Sequence, residues 1–289
     1  MNLNLFLGSL ELQLQLPAPV QLDAFDARFS APVLPVTKQA RITYTAPGPV
    51  SAPDDAIPGS DGMLVSRAGD RETRAYLSEP GQPPYCLSRR TGSSVTVTLT
   101  EAAWQREHGH FRPWFNLHLE QLLLANRALV LHSASIIYRG RAILFTAPSG
   151  TGKTTQTLLW KQYVADVGDL NGDRTLLQRT ETGWYACGFP LYGSSLACEQ
   201  TAVPFGAIVV VRRAEADSIT ELSSMRRLSL LYSECTVPAY DACYAEEAMT
   251  LLQDLIGTVP VVQLNCTMTE GAVEALKHYL EEMNAFGAV

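Results

Sequence analysis

The residues of this chain best suited to chemistry stand together at Ala147-Pro148-Ser149-Gly150-Thr151-Gly152-Lys153-Thr154-Thr155. Two glycines one residue apart let the main chain bend without a clashing Cβ, so that successive N–H groups turn toward one anion. Lys153 adds a compact positive charge for β- and γ-phosphates, and the Thr154 hydroxyl is of the kind that ligates Mg²⁺. The expected nucleotide contacts are therefore Ser149, Gly150, Thr151, Gly152, Lys153, Thr154 and Thr155. The cofactors implied by the loop are a nucleoside triphosphate and Mg²⁺. A Gly/Ser/Thr-rich turn with a solvated lysine is the bland alternative, and what flanks the loop argues against it.

Residues 142–146 form a short apolar run of strand type, and residues 155–160 carry helix formers, so the glycines fall between a strand and a helix. The helix brings the positive end of its dipole to the same anion. A second strand-like run, 131–138, precedes Arg139-Gly140, which predicts a hairpin feeding the loop rather than the usual parallel crossover. After the loop helix, residues 163–167 are expected to re-enter the sheet and deliver Asp169 and Asp173 near the phosphates. An acid there holds Mg²⁺ through water or accepts the proton of an attacking hydroxyl. An Asn-Gly turn with capping aspartates is the structural alternative. Arg212, Arg213, Arg226 and Arg227 are candidates to stabilise transferred charge, against the ordinary reading of solvated arginines. The segment 188–195, with Phe189 and Tyr192, is either a clasp for a base or acceptor or a surface turn.

Before the loop region the chain reads as β. Leu3, Leu5 and Leu7 share one parity and Leu10, Leu12, Leu14 and Leu16 the other, with the slip at Gly8-Ser9; alternation returns at 40–44 and 95–99. The Pro/Gly-rich stretch 47–59 is an expected surface loop. His108 and His110 lack a third ligand nearby and fit a turn, and a helix is predicted from Pro113 to Ala125 with His118 on its polar face. Beyond the acids, 175–179 and 184–187 predict a hairpin, and 205–211 a strand buried on both faces. Helices are expected from about 223, over 241–256 and over 270–283, with a strand at 259–264. The division expected is a small antiparallel β-rich N-terminal domain, 1–110, and an α/β nucleotide-binding domain, 111–289.

A chain of 289 residues with 46% hydrophobic content can bury a substantial core, and its net charge of −7 gives no general attraction to nucleic acid or an anionic membrane. The six cysteines, at 86, 187, 198, 235, 243 and 266, form no C-x-x-C pair and no zinc spacing, which suits reduced thiols. The first residues lack a basic region followed by an apolar run, and no segment reaches eighteen unbroken apolar residues. A cytoplasmic protein is the expectation.

Leu131-His132 on a strand, the hairpin through Arg139-Gly140 and the run Ser149 to Thr154 together resemble the C-terminal kinase domain of the HPr kinase/phosphorylase family. Ser149 to Thr155 is also similar to the phosphate loop of ATP-dependent phosphoenolpyruvate carboxykinases, whose nucleotide-binding core is related. The resemblance covers roughly residues 111–200. It implies an α/β fold, a mixed-sheet P-loop kinase domain of that type. It also implies an ATP/Mg-dependent kinase that phosphorylates a serine-type hydroxyl on a protein, peptide or small molecule. On the same ground Lys153 and Thr154 bind phosphate and Mg²⁺, His132 lies beside the reacting phosphate, and an acid after the loop helix is the base. HPr kinases carry two adjacent aspartates there, whereas Leu-Asn-Gly separates Asp169 from Asp173 here. Asp173, with Arg174 beside it to hold it ionised, is taken as base, and Asp169 joins Thr154 as metal ligand. Ala147-Pro148 replaces the family's Gly-Asp, which argues against the reverse, phosphorolytic reaction. A homo-oligomer is expected from the resemblance alone. The competing functions are a phosphoenolpyruvate-carboxykinase-like enzyme and a nucleotide-binding regulator or scaffold without turnover.

Overall fold

The computed structural model describes the 289-residue chain except residues 60–61, 109–110, 192, 194–195, 239, 284 and 286–289 and the side chain of residue 108. The chain divides into two compact units: Met1–Asn126 with Pro238–Tyr244, and Arg127–Val237 with Ala245–Val289.

The first unit is built on one eight-stranded sheet. Its strands are β1 (Asn2–Leu7), β2 (Leu10–Gln15), β3 (Lys38–Tyr44), β4 (Ile57–Pro58), β5 (Met63–Ala68), β6 (Arg71–Leu77), β7 (Pro84–Thr91) and β8 (Ser94–Leu99), in the order β1-β2-β3-β8-β7-β6-β5-β4. The leucine alternation works as its spacing predicts: β1 and β2 form a hairpin that sets Leu5 opposite Leu12, both fully buried. The phase slip at Gly8-Ser9 is the turn that keeps both leucine sets on the core face. The sheet is mixed rather than antiparallel, because β3 runs parallel to both β2 and β8. Long connections permit such crossovers, whereas a tight hairpin does not.

Among the described residues this unit also holds two α-helices, α1 (Glu101–His108) and α2 (Leu119–Ala125), and a 3-10 turn at Asp26–Ser30. The helix expected from Pro113 starts only at Leu119, since Asn116 and His118 adopt φ of 63° and 54°, left-handed values that no right-handed helix accommodates. His118 is 1% exposed rather than on a polar face. Its Nδ1 lies 3.3 Å from Glu72 Oε1, which also accepts from Arg74 Nε, Gln121 Nε2 and Tyr240 Oη, each at 2.8 Å.

The second unit contains β9 (Ala128–Tyr138), β10 (Arg141–Thr146), β11 (Gly168–Asn171), β12 (Arg174–Arg179), β13 (Trp184–Cys187), β14 (Ala202–Arg213), β15 (Ser218–Glu221) and β16 (Val261–Cys266). With them are α3 (Lys153–Tyr163), α4 (Ser224–Glu234), α5 (Ala242–Thr258, of which the residues from Ala245 on belong to this unit) and α6 (Glu270–Glu282). The expected two-residue hairpin joins β9 to β10, and β12 and β13 form the second one. Residues 163–167 do not re-enter the sheet: α3 runs to Tyr163, Asp166 turns at φ 60°, and β11 begins only at Gly168.

The α/β fold of HPr kinase or phosphoenolpyruvate carboxykinase type, with only a small β-rich part before it, is overturned. The molecule is mostly β, with 37% strand and 26% helix, and holds an eight-stranded sheet and a closed five-stranded barrel. Closure follows from two long strands. The first half of β9 pairs with β12 and its second half with β10, while β14 pairs with β13 at its start and with β10 further on. The ring β10-β9-β12-β13-β14 thus returns to β10, and β16 and β15 extend from β14. Closing the ring leaves no free edge among these five strands. On one side Trp160 of α3 is fully buried against Tyr138, with ring centroids 5.5 Å apart, and Val273, Leu276 and Leu280 of α6 belong to the same core.

Candidate active site

The strand β10 runs parallel to β14, with Thr146 opposite Val210, and this pairing fixes where the chain leaves the barrel to enter the loop. Gly150 and Gly152 take φ of 76° and 125°. At Gly152 a Cβ would stand 2.3 Å from Met268 Cε, the end of a flexible side chain, so it is the backbone angle that calls for glycine. Thr151 closes the turn by donating from Oγ1 to Pro148 O at 2.8 Å. Arg213, at the end of β14, donates to Gly150 O and Thr151 O, each at 3.0 Å. Those carbonyls are occupied by the guanidinium. The first turn of α3 carries no side-chain cap, so its amides have no partner within the helix. Lys153 is only 8% exposed and donates from Nζ to Ala147 O at 2.8 Å. Burial lowers its pKa below the usual lysine value, and the charges of Glu234 and Asp173 offset part of that.

The turn after β11 presents the acid. Asn171 is buried, and its Oδ1 accepts from the backbone of Asp173 (3.0 Å) and Arg174 (2.9 Å) while its Nδ2 donates to Phe189 O at 2.6 Å. The Asn-Gly turn is therefore present, but Asn171 caps it and leaves the Asp173 carboxylate free to point elsewhere. Ser133 N donates to Asp173 O at 2.9 Å, which ties the turn to β9. Gly193, at φ 60°, approaches so closely that a Cβ would lie 2.9 Å from that of Asp173. Asp173 Oδ1 is 3.6 Å from His132 Nε2, and Oδ2 is 3.6 Å from Arg174 Nε.

His132 has a second carboxylate that residue spacing did not reveal. Glu234, 102 positions along the chain at the end of α4, places Oε2 3.0 Å from His132 Nδ1. The available signal was its place: a helix C-terminus disfavours an acid. Beside it the Cys235 thiol is pushed up to about 12 by burial and the Glu234 charge, which keeps it from acting as a thiolate near neutral pH.

A cleft of about 310 Å³ gathers His132, Ser149, Gly150, Gly152, Lys153, Thr154, Thr155, Asp173 and Arg213. Of the loop and acid candidates Thr151 and Asp169 fall outside it, as do Arg212, Arg226 and Arg227 among the four arginines. Thr151 spends its hydroxyl on the loop itself, and Asp169 pairs with Lys161 Nζ of α3 at 2.7 Å. Asp169 sits on β11 opposite Ile136, three positions before the turn that carries Asp173, because the strand starts later than expected. No protein-family model matches the chain, and no curated protein is significantly similar to it.

Among the described residues no group of three or more His, Cys, Asp or Glu side chains is arranged to hold a metal ion. Mg²⁺ at a phosphate site needs one or two protein oxygens, with phosphates and water supplying the rest. Thr154, which lines the cleft, supplies such an oxygen. A larger hollow of about 570 Å³, lined by Tyr138, Tyr163 and Lys277, lies at the other end of α3 and lacks comparable chemistry. Of the other candidates, Gly109, His110, Tyr192, Ser194 and Ser195 lie outside the described residues. Among the described residues no helix is long and apolar enough to cross a membrane.

Proposed function

We propose that this chain is an ATP/Mg²⁺-dependent kinase that transfers the γ-phosphoryl group to a serine-type hydroxyl on a protein, peptide or small molecule. The observation that carries the reading is the sharing of one cleft by uncapped helix amides, a buried lysine and the Asp173–His132 pair. A phosphate cradle alone fits any nucleotide binder. A carboxylate beside it, with an imidazole at its back, adds a proton acceptor where a hydroxyl would attack.

In this reading the amides of Gly150 and of 152–155, with Lys153, hold the phosphate chain and neutralise its charge, and most of the rate comes from positioning and electrostatics. A bound Mg²⁺ would supply neutralisation of the charge that develops on the transferred group. Thr154 is the residue that would hold it, and Asp173 takes the hydroxyl proton. Arg213 keeps the loop in its nested form and lies on the cleft wall, where its charge favours a triphosphate. The serine-type acceptor comes from the resemblance to HPr kinases, not from the cleft.

³¹P spectroscopy with ATP and mixed hydroxyl acceptors tests the reading. Saturating MgATP, at a hundred times its dissociation constant, should stabilise the protein by about 2.7 kcal/mol, and Lys153→Ala should remove that melting shift. Asp173→Asn should lower transfer by about 10²- to 10⁴-fold while binding persists. Binding without any transfer by the wild type would leave a regulatory nucleotide module, and no binding would end both readings.

A further inference from the structure

Glu234 is where α4 ends, at the pole of the helix that repels a carboxylate, and its side chain is 13% exposed. Strand β9 holds it in place. Leu131 and Cys235 form an antiparallel bridge, and Thr236 N donates to Val130 O at 2.9 Å. With this backing, Oε2 stays 3.0 Å from His132 Nδ1, while Nε2 on the far side of the ring is 3.6 Å from Asp173 Oδ1. An imidazole that donates Nδ1–H to a carboxylate keeps Nε2 as an acceptor. Facing an ionised Asp173, that lone pair gains nothing; facing a protonated Asp173, it receives a hydrogen bond. The 3.6 Å gap is one small side-chain adjustment, or one bridging water, from such a bond.

We propose that Glu234 is the positioning residue of the site, fixing His132 in the Nδ1–H form so that Nε2 relieves Asp173 of the proton taken from the acceptor. The proposal rests on the kinase reading for its chemical meaning. The acceptor O–H bond breaks and its proton goes to Asp173. The acceptor oxygen bonds to the γ-phosphorus as the bond to the bridging oxygen breaks and that electron pair leaves with the diphosphate. The proton then passes to His132 Nε2 and on to solvent across the ring's exposed edge. The charged groups around the ring are Asp173 and Glu234, with Lys153 near both carboxylates.

Nitrogen-15 NMR of the full chain without acceptor reads the tautomer directly, with His132→Gln providing the assignment. In the neutral ring of the wild type, Nδ1 is expected to carry the proton and Nε2 to be bare. Glu234→Gln and Glu234→Ala should each move the ring toward the Nε2–H form. Turnover should fall at least about tenfold with KM for ATP unchanged, because the loss is of proton handling and not of nucleotide contact. The MgATP melting shift identifies folded variants, and Glu234→Gln, nearly isosteric, serves if Glu234→Ala does not fold. An Nε2–H tautomer in the wild type overturns the proposal. So does a ring that keeps both protons across the pH range of turnover, or a tautomer that neither substitution alters. A held Nδ1–H form in a wild type that transfers no phosphoryl group supports the positioning and counts against the kinase reading instead.

Discussion

Gly152 carries two constraints that separate by magnitude. The Met268 methyl that a Cβ would meet is the end of a flexible side chain and can swing aside, whereas φ of 125° cannot be relaxed without moving the loop. A non-glycine residue in such a region costs on the order of 1–3 kcal/mol. Gly152→Ala is therefore expected to weaken MgATP binding by roughly ten- to a hundredfold in calorimetry. Adding Met268→Ala should not restore it. Recovery in the double mutant would show that the side-chain contact, and not the backbone angle, sets the requirement.

At the level of elements, the β11–β12 turn decides which acid reaches the cleft. Asn171, itself buried, satisfies two partly buried backbone amides and one buried carbonyl. Removing it takes that partner from both amides, while Phe189 O keeps the Cys198 thiol at 3.3 Å, and each unsatisfied buried group costs about 1–3 kcal/mol. Asn171→Ala should lower unfolding stability by about 2–4 kcal/mol in urea titrations, counting one or two groups left dry. In the fraction still folded it should also reduce turnover, since Asp173 loses its aim. A variant that loses stability but keeps wild-type turnover when folded would mean that Ser133 and Gly193 suffice to place the carboxylate. The same turn explains why Asp169 and Asp173 part company: one belongs to a strand and pairs with Lys161, the other to the loop at its end.

At the scale of whole units, the first one contains a buried ionic network with a definite pH signature. Burial alone would raise the Glu72 carboxyl, but hydrogen bonds from His118, Arg67 and Tyr240 and the charge of Arg74 overcome it and hold it well below the carboxylate range. Burial lowers His118 below its ordinary 6.5, against the pull of Glu72. Both groups release protons more readily folded than unfolded, so both contribute stability that is complete above their unfolded values and lost as pH falls. The His118 part fades below about 6.5 and the Glu72 part below about 4.5. Asp26, raised mainly by burial, opposes them on the acid side. The wild-type urea midpoint should decline from pH 7 to 5, and His118→Gln should flatten that slope, with Asp26 common to both proteins. An equal slope in the two would exclude His118 as its source.

Local sequence was enough to specify the loop between β10 and α3, the β9–β10 hairpin, the leucine hairpin at the start and the helices α4 to α6. Each depends on the conformational freedom of glycine, on side-chain alternation or on helical spacing within a dozen residues. Three things were decided by tertiary contacts. The barrel closes because long strands switch partners along their length, a long-range choice that gives no local period. His118 is buried because Glu72, distant in sequence, awaits it. Glu234 meets His132 across 102 positions because the end of α4 is stitched to β9, and no spacing rule relates two residues joined only by the fold.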